Sequence, residues 1–216
     1  MDASGLGVSW VDLAVVALVI VGIVRGRRRG MSQEFLDVAM WMLIVVGAGL
    51  GYLFCGNLLA LNTPFSPLTC YLIAYVVLTF AVVVIFSAIR RATGEKLAGS
   101  DTFGGGEYYL GRVAGGIRYV CIIIFALSLM NARYYSADEI RQSVQYQQDN
   151  FGSVPFPTFS SIHQEIFQSS WTGRLAREYL PALLIRSTSP SDKSLAEGDS
   201  IVRARERQVD QVFEKK

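Results

Sequence analysis

Four long apolar runs constrain this chain more than anything else in it. They cover residues 6–24, 35–54, 68–89 and 113–132. A bilayer core is about 30 Å thick, and a helix needs about 20 mostly apolar residues to cross it. Each run reaches or approaches that length. Each carries at most one charged residue, in order Asp12, Asp37, none and Arg118. The expected fold is an all-α membrane protein, with four transmembrane helices and a C-terminal extramembrane tail of short helices.

Composition points the same way. Hydrophobic residues make up 51% of the chain and charged residues 18%, where soluble domains carry about 25% charged residues. The polarity is unevenly placed. Residues 1–132 hold 9 of the 20 Lys and Arg and 7 of the 18 Asp and Glu, so the tail is formally neutral and the net +2 belongs to the apolar part. That excess sits in short loops between runs, which argues against a nucleic-acid-binding surface.

The first run is not patterned as a cleaved signal peptide, which has its positive charge before the apolar stretch. Here Arg25, Arg27, Arg28 and Arg29 follow it. Short loops rich in Lys and Arg stay in the cytoplasm. Loop 25–34 has four arginines against Glu34. Loop 90–112 has Arg90, Arg91, Lys96 and Arg112 against three acids, and loop 55–67 has no charge. The bias places the first and third loops inside, and the N-terminus and tail outside. Trp10, Tyr52 and Tyr71 then fall at the outer interface. Residues 93–106, with five glycines, read as a flexible hinge. The Gly104–Gly106 run lacks the Lys and Ser/Thr of a phosphate cradle.

Small residues recur every four positions: Gly22, Gly26 and Gly30, then Gly47 and Gly51, then Gly111 and Gly115. Such rows let helix backbones approach closely in lipid. Two uses are open, packing within one chain or a homo-oligomeric interface. Asp37 and Arg118 lie at similar depth from the same side. They read as snorkelling interfacial charges, as a buried pair, or as part of an ion path.

Cys55 and Cys70 bracket the loop expected outside, where a disulfide is one option. Cys121 reads as an apolar filler. No C-x-x-C, H-E-x-x-H or G-x-S-x-G occurs, so neither a thiol redox enzyme, a zinc site nor a hydrolase is indicated. The single histidine, His163, lies beside Glu165 without a nearby Cys, Ser-containing elbow or second His, and reads as a surface residue. No catalytic residue, cofactor or metal site is expected. In the tail, residues 160–185 alternate at helical spacing, through Ile162, Ile166, Trp171, Leu175 and Tyr179, as short helices lying on the membrane face or on the spans. Residues 187–216 read as disordered or as a marginal helix.

One stretch carries a resemblance. Residues 11–37 read V-D-x(9)-G-x-x-x-G-R-R-R-G-M-S-Q-E-F-L-D. This resembles the opening of the colicin V production protein (CvpA) family, with Asp12, Arg29, Gly30 and Glu34 in the family's positions and Arg25 and Gly26 as an alternative to the Arg29 and Gly30 pair. A second family pattern is matched before the last span by Leu110, Gly111, Gly115 and Arg118, while its D-R pair is replaced by Glu107 and Tyr108. The resemblance implies a multi-pass bacterial inner-membrane protein associated with toxin production or export and with envelope homeostasis. It implies a non-enzymatic accessory or scaffold, with a small oligomeric channel or transporter as the alternative. The partners expected are the lipid bilayer, the chain itself as a homo-oligomer, and unidentified envelope or secretion proteins, with no nucleic acid.

Overall fold

The computed structural model describes residues 9–98, 106–135, 137–151 and 159–188. The described residues are mostly helical, and the bridge among them is an isolated one between Arg133 and Thr188. The disorder expected for 189–216 lies outside the described residues.

Helix α1 (Trp10–Arg29) starts at a Ser9 cap, whose hydroxyl accepts from Val11 N at 3.3 Å. It ends in Arg27, Arg28 and Arg29, cations that suit the negative end of the helix dipole. Gly30 follows with φ of +79°, the only positive φ among the described residues. A side chain there would be strained, so glycine allows a one-residue corner into α2 (Met31–Leu43). A π-helical turn, Ile44–Ala48, joins α2 to α3 (Gly49–Asn62). The residues expected to begin a hinge, 93–98, are instead the end of α4 (Pro67–Ala98), and residues 99–105 lie outside the described part. Helix α5 (Glu107–Asn131) completes the bundle.

Three helical stretches are long and apolar enough to cross a membrane: Met31–Asn62, Pro67–Ala92 and Glu107–Asn131. The first joins α2, the π turn and α3 into 32 residues, about 48 Å of helix against a hydrocarbon core of about 30 Å. Such a stretch must tilt or protrude. Helix α1 is shorter in apolar content, because arginines occupy its last turns.

Helix α5 is the centre. It packs antiparallel to α1 and parallel to α2, while α3 and α4 form an antiparallel pair beside it. The bundle hides little of its apolar surface. Phe54 and Phe80 are 71% and 68% exposed, and α4 is the least buried span. In water such patches would aggregate. In hydrocarbon they already match the solvent, and the contacts that remain are close packing and polar pairing.

The tail adds α6 (Ala137–Phe151), α7 (Phe159–Gln164), a π-helical turn at Glu165–Ser169 and α8 (Trp171–Tyr179). Its later part shares the core of the spans. Ile166, Phe167, Ala176 and Leu184 pack with Val11, Ile123 and Leu127, and Ile185 packs with Tyr52, Tyr75 and Ala132. Cys55, Cys70 and Cys121 are all free thiols, so no disulfide closes the loop between α3 and α4.

Candidate functional site

Glu34 and Asp37 are three residues apart on α2, so both face the same side. That side meets α5, and Arg118 lies between them. Arg118 Nη1 donates to Glu34 Oε2 at 2.6 Å and to Asp37 Oδ2 at 3.0 Å. Arg29 reaches in from the end of α1, 3.5 Å from Glu34 Oε1 and 3.4 Å from Asp37 Oδ2. Arg90 of α4 approaches Asp37 Oδ1 at 3.1 Å. Four helices thus meet at two carboxylates and three guanidiniums, with a formal surplus of one positive charge. The members differ in exposure. The Glu34 side chain is 1% exposed, Arg118 11%, and Arg90 59%. Removing one partner of a buried ion pair leaves an uncompensated charge, whereas a solvent-facing pair contributes little. The inner members therefore dominate. Arg118 Nε is buried and finds no partner among the described residues.

The same end holds the glycine seam. A Cβ at Gly26 would overlap the carbonyl oxygen of Gly111, and one at Gly115 would overlap that of Gly22. A Cβ at Gly111 would lie 2.6 Å from Gly26 O. One at Gly22 would lie 2.7 Å from the Tyr119 ring, and one at Gly30 would lie 2.9 Å from the Glu107 side chain. The five glycines bring α1 and α5 into backbone contact within one chain. Gly47 has no such neighbour. Gly49 does instead: a Cβ there would sit 3.0 Å from Leu183 O.

At the opposite end Asp12 holds the tail. Its Oδ2 accepts from Trp171 N at 3.1 Å, and its Oδ1 from Thr172 N at 3.0 Å and Thr172 Oγ1 at 2.6 Å. The first turn of a helix has unpaired amides and a partial positive charge, both of which an aspartate satisfies. Ser9 Oγ donates to Glu165 Oε1 at 2.9 Å beside it. Beyond α8 the chain enters the bundle in non-helical form. Ser128 Oγ donates to Leu183 O and accepts from Ile185 N. Tyr52 Oη donates to Leu184 O and accepts from Arg186 N, and Asn131 Nδ2 donates to Ile185 O. Irregular backbone is tolerated at such a place only where protein groups satisfy it.

His163, expected at the surface, is buried. It packs against Tyr135 and Phe167, with ring centroids 5.3 and 4.9 Å away. Tyr135, which follows α5, and Phe167, in the π turn after α7, account for the difference by covering the ring. Burial, and then the charge of Arg177, push its pKa below the ordinary histidine value. Among the described residues no three His, Cys, Asp or Glu side chains come together as a metal site.

Charged cluster, glycine seam and Asp12 all fall within the part of the chain that a family model for the colicin V production protein matches, residues 11–148. The chain belongs to the colicin V production protein family. No curated protein and no solved structure matches the chain.

The match to the colicin V production family begins at the residue before Asp12 and ends within α6. The four helices around Arg118 lie inside it, whereas α7, α8 and the inserted segment lie beyond it. The sequence pointed to Asp12, Gly22, Gly26, Arg29, Gly30, Glu34, Asp37, Gly111, Gly115 and Arg118. The structure puts Arg29, Glu34, Asp37 and Arg118 in one cluster and the five glycines in one seam, and sets Asp12 apart at the other end. Sequence reasoning did not find Arg90, nor Tyr52, Ser128 and Asn131. Arg90 carries the only available signal, a cation at the junction of the third apolar run and the loop that follows it.

Proposed function

We propose that this member of the colicin V production family is a four-span inner-membrane accessory or scaffold protein. It supports toxin production or export, or envelope homeostasis, and performs no enzymatic chemistry. The observation that carries this reading is the state of its polar groups. The inner carboxylates and Arg118 are spent on each other, and the other end of the bundle is filled by residues 183–186. A bundle built this way holds helices together and presents surfaces. α1 serves as the first span, since it lies along α5 and exposes Leu13, Ile20 and Val21 to lipid. The arginine-rich Gly30 end faces the cytoplasm, with the N-terminus and tail outside.

A second reading is a small oligomeric channel. The unburied face of α4, with Val77, Phe80 and Ile85, favours it as a contact surface between copies. The full chain in liposomes separates the two. The scaffold reading expects ion flux at the level of protein-free vesicles, and loss of toxin secretion when the gene is deleted from a producing strain. Flux that scales with protein and secretion that is unaffected would overturn it. Reporter fusions after residues 61 and 216 should report the outer compartment, and one after residue 99 the cytoplasm.

A further inference from the structure

Helices α1 and α5 touch closely along only part of their length. Toward Gly30 their backbones meet through glycines. Toward Asp12 the facing residues become branched, with Val15, Val16 and Val19 on α1 and Val120, Ile123 and Ile124 on α5. Side chains of that size cannot share the spacing that glycine permits, so the helices part. Helix α8 lies across the opening, contributing Trp171, Leu175 and Tyr179. The result is a cleft of about 630 Å³, in the range of about 300–1,000 Å³ found for small-molecule sites.

Its polar groups are already committed. Both Asp12 oxygens and the Thr172 hydroxyl are engaged with each other and with the start of α8. Water needs two to four polar partners, so a cleft lined this way stays dry. Its occupant must be apolar. From Asp12 to Val19 the cleft runs about 10 Å along the helix, within the roughly 15 Å of hydrocarbon in one leaflet. The glycine seam closes its floor and α8 its roof. A spanning helix, about 30 Å long, cannot lie along it. The mouth opens sideways beside Val16 and Val120, 55% and 42% exposed, and Trp171 and Tyr179, 63% and 69% exposed, stand at its edge. Such amphipathic rings belong at the lipid interface.

We propose that this cleft binds one acyl chain of a lipid from the leaflet on the Asp12 side, the outer leaflet in the orientation given above, on which the proposal rests. The seam sets the width, the branched residues grip the chain, and Asp12 fixes the roof. The family's glycines thus have a second consequence, since they pinch the two helices below the site they open.

The test uses the full-length Trp10→Phe/Trp41→Phe protein, which keeps Trp171 as its only tryptophan, in detergent micelles. It is titrated with phosphatidylethanolamine carrying brominated acyl chains. Trp171 quenching should saturate at one lipid per protein, and native mass spectrometry should show one retained lipid. Val19→Phe/Val120→Phe, which fills the cleft, should weaken retention at least tenfold. Quenching that tracks the lipid fraction without saturation overturns the proposal, as does equal retention by the filled protein. If the filled protein does not fold, unbrominated lipid must displace the probe along a one-site isotherm, and mere dilution overturns the site. Stronger displacement by a hydrophobic helical peptide than by lipid also overturns it, in favour of a protein partner. The reporter fusions read orientation independently, so a wrong orientation and an empty cleft give different results.

Discussion

Arg118 and Glu34 meet at 2.6 Å, although 84 residues separate them and Glu34 is 1% exposed. The pair locks α5 to α2, and Asp37 extends the lock to α1 and α4 through Arg29 and Arg90. Without Glu34 or Asp37 the buried guanidinium of Arg118 loses part of its compensation.

The cost should follow burial. Glu34→Gln should destabilise the protein by about 3–5 kcal/mol, as when one partner of a buried pair is removed. Arg90→Ala should cost about 0–1 kcal/mol, since the Arg90 side chain is largely exposed. Asp37→Asn together with Arg118→Gln should cost less than the sum of the two single changes, because contacting residues couple. Unfolding in mixed micelles measures the four single variants and the double variant. Strictly additive losses would mean that the charges act separately.

The seam makes a sharper contrast. Gly26→Ala places a methyl group into the Gly111 carbonyl and must push α1 away from α5. Gly47→Ala meets only the Leu43 side chain, at 3.9 Å. Alanine is favoured over glycine inside a helix by about 0.8–1 kcal/mol. Gly47→Ala should therefore be neutral or stabilising, and Gly26→Ala should reduce stability and folded yield. Thermal unfolding of the two purified variants distinguishes them. Equal behaviour would remove the seam as a packing surface.

These residues show what was legible in the chain. Three helices long and apolar enough to span, and the glycine rows of α1 and α5, follow from lengths and periods, and the shared depth of Asp37 and Arg118 follows from register. Depth cannot show that Arg29 and Arg90 join them, because long side chains reach in from other helices. The row of Gly47 and Gly51 assumes an uninterrupted α-helix, but the π turn at Ile44–Ala48 shifts the phase and turns Gly49 toward Leu183. Residues 183–186 have no apolar period that marks insertion. Tyr52, Ser128 and Asn131, which satisfy their backbone, look like ordinary span residues.

The tail should respond to pH through His163. Its pKa is lowered in the fold, first by burial and then by Arg177, from an ordinary value of 6.5. The folded state holds His163 neutral, so the unfolded chain binds the extra proton first. Stability is therefore full above about pH 6.5 and falls as pH drops below that value toward the lowered pKa. His163→Phe should flatten this part of the pH profile of tail unfolding, followed by hydrogen exchange in α7 and α8. An unchanged slope between pH 7 and pH 5 would assign the dependence to other groups.

Asp12 should prove to be the residue that holds α8 on the bundle. It accepts three hydrogen bonds from Trp171 and Thr172, whereas Ser170 Oγ, which accepts from Gly173 N at 3.0 Å and donates to Ile166 O at 2.8 Å, ties the start of α8 only to other residues of the tail. Hydrogen bonds to a charged group contribute about 1.5–3 kcal/mol each, and loss of an N-cap costs about 1 kcal/mol. Asp12→Ala should therefore release α8 as a unit, raising amide exchange at Trp171, Thr172 and Ala176 together by more than tenfold. Ser170→Ala should raise exchange only in the first turn. Neither change should alter the Glu34–Arg118 end, which lies at the other end of α1, so the coupling measured by Glu34→Gln should be the same in the Asp12→Ala background. If Ser170→Ala frees α8 as fully as Asp12→Ala, the helix is held by its own cap and its apolar contacts, and Asp12 is only a neighbour.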